Sequence, residues 1–175
     1  TGQGGFAVTS NKELAQKMRA IRTHGVENVK DPKEWIMPGF NFRFNDMQAS
    51  IGIEQLKRLS DRVNFLRDLY TTFAKGLQGS QFKLIPLDLE TGEVPLYNEY
   101  LVQDREIWIK KLQEFGIESR PFYPNINTAE YLSINDYHFP NSQPFAEKGI
   151  YLPSGPGQEP DNIKLCIETI KRLTI

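Results

Sequence analysis

The chain is poor in the residues that build disulfides and metal centres. Among 175 residues there is one cysteine, Cys166, and there are two histidines, His24 and His138. One cysteine excludes an intrachain disulfide, and two histidines leave too few ligands for a zinc site of the usual kind. Excess charge of either sign is also missing. Twenty-one Lys and Arg face 22 Asp and Glu, for a formal net charge of −1. No broad basic field is therefore available to attract nucleic acid. No apolar run approaches the roughly 20 residues of a membrane span, and no secretory signal is legible. A reducing, cytoplasmic setting is the expectation. The opening, Thr1-Gly2-Gln3-Gly4-Gly5, has no Met and runs straight into apolar Phe6-Ala7-Val8. A processed start and a chain cut within a domain fit it equally.

What is present is a globular composition, 39% apolar, 25% charged and 11% aromatic. Residues 6–9 read as a short strand. Ser10 and Glu13 fit a capping box ahead of Leu14, Met18 and Ile21 at helical spacing, with Gly25 as the stop. Residues 26–38 show no period and read as a loop. Asn45 and Gln48 form a second capping box. Leu56, Leu59, Val63, Leu66, Tyr70, Phe73 and Leu77 then alternate at steps of three and four. That spacing predicts one helix of about 30 residues, about 45 Å long. Gly76, Gly79 and Ser80 mark a boundary, which divides the chain into residues 1–78 and 79–175.

The second part shows a βαβ-like pattern. Residues 97–103 favour a strand, and Asp104 can cap a helix through Trp108, Leu112 and Phe115. Gly116 ends that helix, and residues 117–122 form the next strand. A short helix over 142–149, a turn-rich loop over 151–157 and a last helix opened by Pro160 complete the unit. Cys166 falls on the apolar face of that last helix, where core packing is its role.

Three segments could carry chemistry. The opening glycines suggest a phosphate loop, but such a loop needs a strand before it and a helix after it, and here a strand follows. A glycine turn fits better. In Gly39-Phe40-Asn41-Phe42-Arg43-Phe44-Asn45-Asp46, an extended backbone would place Asn41 and Arg43 on one face and the phenylalanines on the other. The phenylalanines could then bury and fix the backbone, while the amide and guanidinium donate together to a phosphate. Alternatively, Arg43 pairs with a nearby carboxylate. Arg120-Pro121-Phe122-Tyr123-Pro124 leaves a strand for a rigid loop, a common place for ligand contacts and also for plain aromatic packing. No Ser/His/Asp arrangement is legible.

The order of these segments resembles the DegT/DnrJ/EryC1/StrS family of sugar aminotransferases, which have the aspartate-aminotransferase fold. The resemblance runs through Gly2-Gln3-Gly4-Gly5-Phe6-Ala7-Val8-Thr9-Ser10, Arg22-Thr23-His24-Gly25, the block from Gly39 to Gly52, Gln55-Leu56, Gly116-Ile117, Arg120-Pro121-Phe122-Tyr123-Pro124 and Leu152-Pro153-Ser154. It covers essentially the whole chain. It implies an α/β fold, the C-terminal part of a pyridoxal 5′-phosphate (PLP)-dependent transferase. A remnant of the large cofactor domain would be joined by the long helix to a small α/β domain.

The resemblance also implies that the catalytic lysine lies upstream of Thr1, so no residue of this chain matches it. Lys12 and Lys17 fall on the following helix. Asn41, with Arg43 as a companion, would reach the cofactor phosphate of a neighbouring subunit. Arg120, Tyr123 and Asn127 would lie near a nucleotide-sugar substrate, although many members carry histidine where Asn127 stands. The implied partners are a homodimer mate or the N-terminal part of the same enzyme, with glutamate as the amino donor. The implied process is amino-sugar and polysaccharide biosynthesis. A sugar dehydratase of the same family and a non-catalytic assembly module are the alternatives.

Overall fold

The computed structural model describes residues 3–132 and 139–174. Thr1, Gly2 and His138 lie outside the described residues. The chain divides into two compact units, Thr1–Leu59 and Ser60–Ile175.

In the first unit, α1 spans Lys12–Arg22. Its cap is Asn11, one residue later than the expected Ser10; the Asn11 side chain accepts from the Leu14 backbone N–H at 3.1 Å. Glu13 then serves the helix through an exposed bridge to Lys17, 2.8 Å and four residues on. The helix stops as expected. Thr23 caps it, and His24 and Gly25 both turn into the left-handed region, with φ of 60° and 77°. The chain loops back over residues 26–38, so that residues 22–25 and 39–42 run antiparallel, with Thr23 bridged to Asn41. Phe40 N–H donates to Ile21 at 2.7 Å, His24 N–H to Phe40 at 2.8 Å and Phe42 N–H to Arg22 at 2.9 Å. The two segments close up because Gly25 and Gly39 face each other, and a Cβ on either would overlap the other segment's backbone.

The second capping box forms as expected. Asn45 Oδ1 accepts from Gln48 N–H at 2.9 Å, and the Gln48 side chain accepts from Asn45 N–H at 3.2 Å. It opens α2, Asp46–Leu56. The expected strand over residues 6–9 does not form. Strands need a hydrogen-bonding neighbour, the segment pairs with none among the described residues, and Phe6 is 94% exposed.

The predicted single helix is two helices. After α2, Lys57 and Arg58 turn, with Arg58 N–H donating to Gln55 three residues back at 3.2 Å, and α3 runs over Leu59–Gly76. Apolar spacing defines which face a helix can bury, but it does not prevent a tight turn that alters the ladder locally. The compact units also part at Leu59 and Ser60 rather than at the glycines near residue 78. Leu69, Phe73 and Leu77 explain the difference, because all three are buried in the core of the second unit.

That unit is a four-stranded sheet with helices. Its strands are β1 (Lys83–Leu84), β2 (Asn98–Leu101), β3 (Arg120–Pro121) and β4 (Gly149–Leu152). Its remaining helices are α4 (Arg105–Glu114), α5 (Gln143–Lys148) and α6 (Pro160–Thr174). The order is β1-β2-β4-β3, with every neighbouring pair antiparallel. The βαβ pattern is therefore present in split form. β2 and β3, joined through α4, both run against β4, so they are parallel to each other with β4 between them. Strand β4 takes up the start of the expected turn-rich loop, Tyr151 and Leu152.

Tyr100 and Val102 from β2 and its end, and Ile150 and Leu152 from β4, meet Phe73, Leu112, Cys166 and Ile170 in the core. Cys166 is fully buried as expected, and burial pushes its thiol up to about 12. Asp104 precedes α4 but caps nothing with its side chain, because it sits at φ 51°. Phe115 stays partly exposed under the Arg172 guanidinium, 4.8 Å from the ring centre.

Candidate functional site

Two polar clusters, one in each unit, contain Asn41 with Arg43 and, separately, Arg120. In the first unit the segment at residues 39–42 is extended, so Asn41 and Arg43 share a face. Arg43 Nε donates to Asn41 Oδ1 at 2.9 Å, and Arg43 Nη2 lies 3.4 Å from His24 Nε2. A guanidinium N–H can only donate, so the Asn41 oxygen must face it. The Asn41 amide N–H₂ is thereby left for another acceptor. The carboxylate alternative for Arg43 is not realised: among the described residues Arg43 has no ion-pair partner.

Phe40 and Phe42 take the opposite face and stack, with ring centres 4.8 Å apart at 13°. They do not bury, contrary to expectation. Phe40, Phe42 and Phe44 are all exposed, and α2 buries no residue at all. Beside this cluster Arg19, Arg22 and Arg43 line a cleft of about 890 Å³ between α1 and the extended residues 5–9. Its charged side chains are all cationic, set among apolar ones such as Phe6, Val8 and Phe42. Lys12 and Lys17 lie on α1, and Lys17 is held by Glu13.

In the second unit Arg120 stands on edge strand β3, paired with Tyr151 of β4, which pairs in turn with Glu99 of β2. Directly opposite residues share a sheet face, so Glu99, Tyr151 and Arg120 form one row. Aromatic rings continue it. Tyr151 stacks on Phe122 at 4.4 Å and 25°, and meets Tyr97 at 5.1 Å. Burial raises the Glu99 carboxyl above its ordinary range. Burial also raises the Tyr151 phenol, and Glu99, Tyr97 and Tyr123 add to the rise while Arg120 opposes it.

A cavity of about 370 Å³ opens here, lined by Tyr97, Arg120, Tyr151, Ser154, Gln158 and Asn162 among others. Its loop wall is pinned by buried Asn98. The Asn98 amide donates to Pro153 O at 2.8 Å, and its backbone N–H donates to Ser154 Oγ at 2.8 Å. Tyr123 is close enough to Tyr151 to influence it but is 84% exposed. Asn127 lies in a one-turn 3₁₀ helix, Ile126–Thr128, and lines a separate cavity of about 340 Å³ with Gln143 and Glu147. The structure thus groups Arg120 with Tyr97, Glu99 and Tyr151, which sequence reasoning missed, and sets Asn127 apart. Alternation along 97–101 was the available signal, because Tyr97, Glu99 and Leu101 must face away from Asn98 and Tyr100. His24 was also missed as a neighbour of Arg43.

Among the described residues no group of His, Cys, Asp and Glu could hold a metal ion, and no helix is long and apolar enough to cross a membrane.

A GDP-perosamine synthase of Vibrio cholerae is 26% identical over 98% of this chain and 48% of its own length. A GDP-4-keto-6-deoxy-D-mannose 3-dehydratase of Yersinia pseudotuberculosis is 29% identical over 78% of this chain and 40% of its own length. The crystal structure of the sugar aminotransferase CalS13 from Micromonospora echinospora superimposes with a TM-score of 0.82 at 18% identity, over 93% of this chain and 45% of that one. The chain spans less than half the length of each of these proteins. The model of one family matches residues 1–171, nearly the whole sequence. With the α/β fold shared with solved members, that match establishes that the chain belongs to the DegT/DnrJ/EryC1/StrS aminotransferase family.

Proposed function

We propose that this chain is the C-terminal part of a PLP-dependent aminotransferase that acts on a nucleotide-linked keto-sugar in amino-sugar biosynthesis. The Asn41–Arg43 pair carries the reading, because its donors are oriented and free of carboxylate partners within a family match that covers the segment. When bound, PLP supplies an electron sink for moving an amino group. The donor set fits its phosphate end, since an amide N–H₂ and a guanidinium both donate to an anion. Asn41 and Arg43 would hold that phosphate from across a subunit interface, fixing the ring's position. Arg120, with Tyr97 and Tyr151, would take the anionic and ring portions of the sugar nucleotide. Tyr123 and Asn127 would contact it from the following loop. Glutamate would be the amino donor, and the setting cytoplasmic. The lysine that such chemistry requires would come from the upstream, N-terminal part of the enzyme.

The proposal also accounts for the apolar surface of the first unit. Phe6, Val8, Phe44, Met47, Ile51 and Ile53 are exposed, and large exposed apolar side chains in such number suit an interface. The N-terminal part of the enzyme or a second copy of the chain would cover it. A second reading, a sugar 3-dehydratase, is favoured by the Yersinia relative.

The experiment is to express this chain alone and within a longer protein that carries an upstream lysine-bearing part. Each is supplied with PLP, glutamate and a nucleotide 4-keto-6-deoxy sugar, and the products are identified by mass spectrometry. Amino-sugar from the longer protein and none from this chain alone supports the aminotransferase. A deoxygenated keto-sugar without added nitrogen supports the dehydratase. Turnover by the chain alone would overturn the proposal.

A further inference from the structure

His24 is a residue under backbone strain whose side chain is turned toward the Asn41–Arg43 pair. It sits at φ 60°, a region costly for a residue with a Cβ, though His visits it more often than most. Its neighbours Thr23 and Gly25 are buried, and its own side chain projects outward. The backbone around it is held on both sides. His24 N–H donates to Phe40 O at 2.8 Å, and Thr23 is bridged to Asn41. The fold thus fixes the His24 Cα beside the segment that carries Arg43, and Nε2 comes to 3.4 Å from Arg43 Nη2. Because Nη2 can only donate, the contact is favourable with the Nε2 lone pair facing it, which is the tautomer protonated on Nδ1.

We propose that His24 is a positioning residue of the phosphate site. It accepts from one end of the Arg43 guanidinium while Asn41 Oδ1 accepts from Nε. The two contacts hold the plane of the guanidinium, leaving Nη1 and the remaining Nη2 proton to face an anion. This rests on the reading that Asn41 and Arg43 bind the cofactor phosphate. A flexible arginine loses side-chain entropy on binding; one already held by two acceptors loses less. His24 therefore acts on affinity for the phosphate through Arg43.

The test compares two variants in the longer, cofactor-binding protein. His24→Gly removes the ring and suits the positive φ. His24→Gln keeps an acceptor at the reach of Nε2 but does not relieve the strain. Dissociation constants are measured for pyridoxamine 5′-phosphate and for pyridoxamine, which lacks the phosphate, alongside the thermal midpoint. The expected result is about fivefold weaker binding of pyridoxamine 5′-phosphate by His24→Gly, with pyridoxamine unaffected and the midpoint equal or higher. His24→Gln should bind like the wild type with an equal or lower midpoint. A purely structural role predicts that affinity and midpoint move together. His24→Gly binding within twofold of wild type, or both variants weakened alike, overturns the inference. Asn41→Ala in the same titration separates the two levels. If it weakens phosphate-dependent binding and His24→Gly does not, only the role of His24 fails. If Asn41→Ala also has no effect, the phosphate reading fails and takes the role of His24 with it.

Discussion

Gly39→Ala should disrupt the candidate phosphate site without adding or removing any functional group. A Cβ at residue 39 would overlap the Gly25 backbone nitrogen and Cα, as well as the His24 carbonyl carbon. These are backbone atoms, so no side chain can rotate away and the two segments must part. The bonds that tie the two passes of chain together near the overlap are His24 N–H to Phe40 at 2.8 Å, Phe40 N–H to Ile21 at 2.7 Å and Ile36 N–H to Gly25 at 2.9 Å. Three backbone bonds at about 1 kcal/mol each, with relaxation recovering part and strain adding some, give a local loss of about 2–4 kcal/mol. At 1.4 kcal/mol per tenfold, exchange protection of these amides should fall roughly 30- to 700-fold. Hydrogen exchange read by mass spectrometry or NMR measures this directly. The amides between β2 and β4, in the other unit, should keep their protection. Gly5→Ala is the control, since a Cβ there meets nothing within 4 Å. Unchanged protection of His24 and Phe40 in Gly39→Ala, or equal damage from Gly5→Ala, would refute the argument that close backbone approach holds the site together.

Three further outcomes are expected. In the longer protein, Asn41→Asp should weaken cofactor binding more than Asn41→Ala, because it sets a carboxylate against a phosphate where Ala only removes a donor worth about 1.5–3 kcal/mol; equal affinities in cofactor titrations would remove Asn41 from the site. Tyr100 is 1% exposed and its hydroxyl has no hydrogen-bond partner among the described residues, so Tyr100→Phe should hold or raise stability by up to about 1 kcal/mol in urea unfolding; a loss greater than about 1 kcal/mol would mean the hydroxyl is satisfied. Burial raises Glu99, so the folded carboxyl binds its proton more tightly than the unfolded one, and the penalty is absent at low pH and grows as pH rises from the unfolded to the folded value. Glu99→Gln should therefore match wild-type stability near about pH 3 and exceed it near about pH 7; the reverse order would show that Glu99 is held by a cation.

Local chemistry made much of this protein legible from the chain alone. The Asn45–Gln48 capping box, the stop at Gly25, the start at Pro160 and the apolar face of α6 depend on residues within a turn or two of one another. So does the shared face of Asn41 and Arg43, because alternation in an extended segment is a property of the backbone. Residue order along nearly the whole length also carried the family, with the order of its segments intact. Tertiary structure decided whatever depends on partners distant in sequence. Residues 6–9 have strand-forming side chains but find no neighbour to bond, and β4 became a strand because β2 and β3 flank it on both sides. The apolar spacing through residues 56–77 cannot show that the helix turns at Lys57 and Arg58, or that its second part belongs to the core formed with Tyr100 and Cys166. The approach of His24 to Arg43, and the row of Glu99, Tyr151 and Arg120, likewise appear only on folding. Each joins residues 19 or more positions apart whose meeting is set by backbone pairing, and no local pattern encodes which segments will pair.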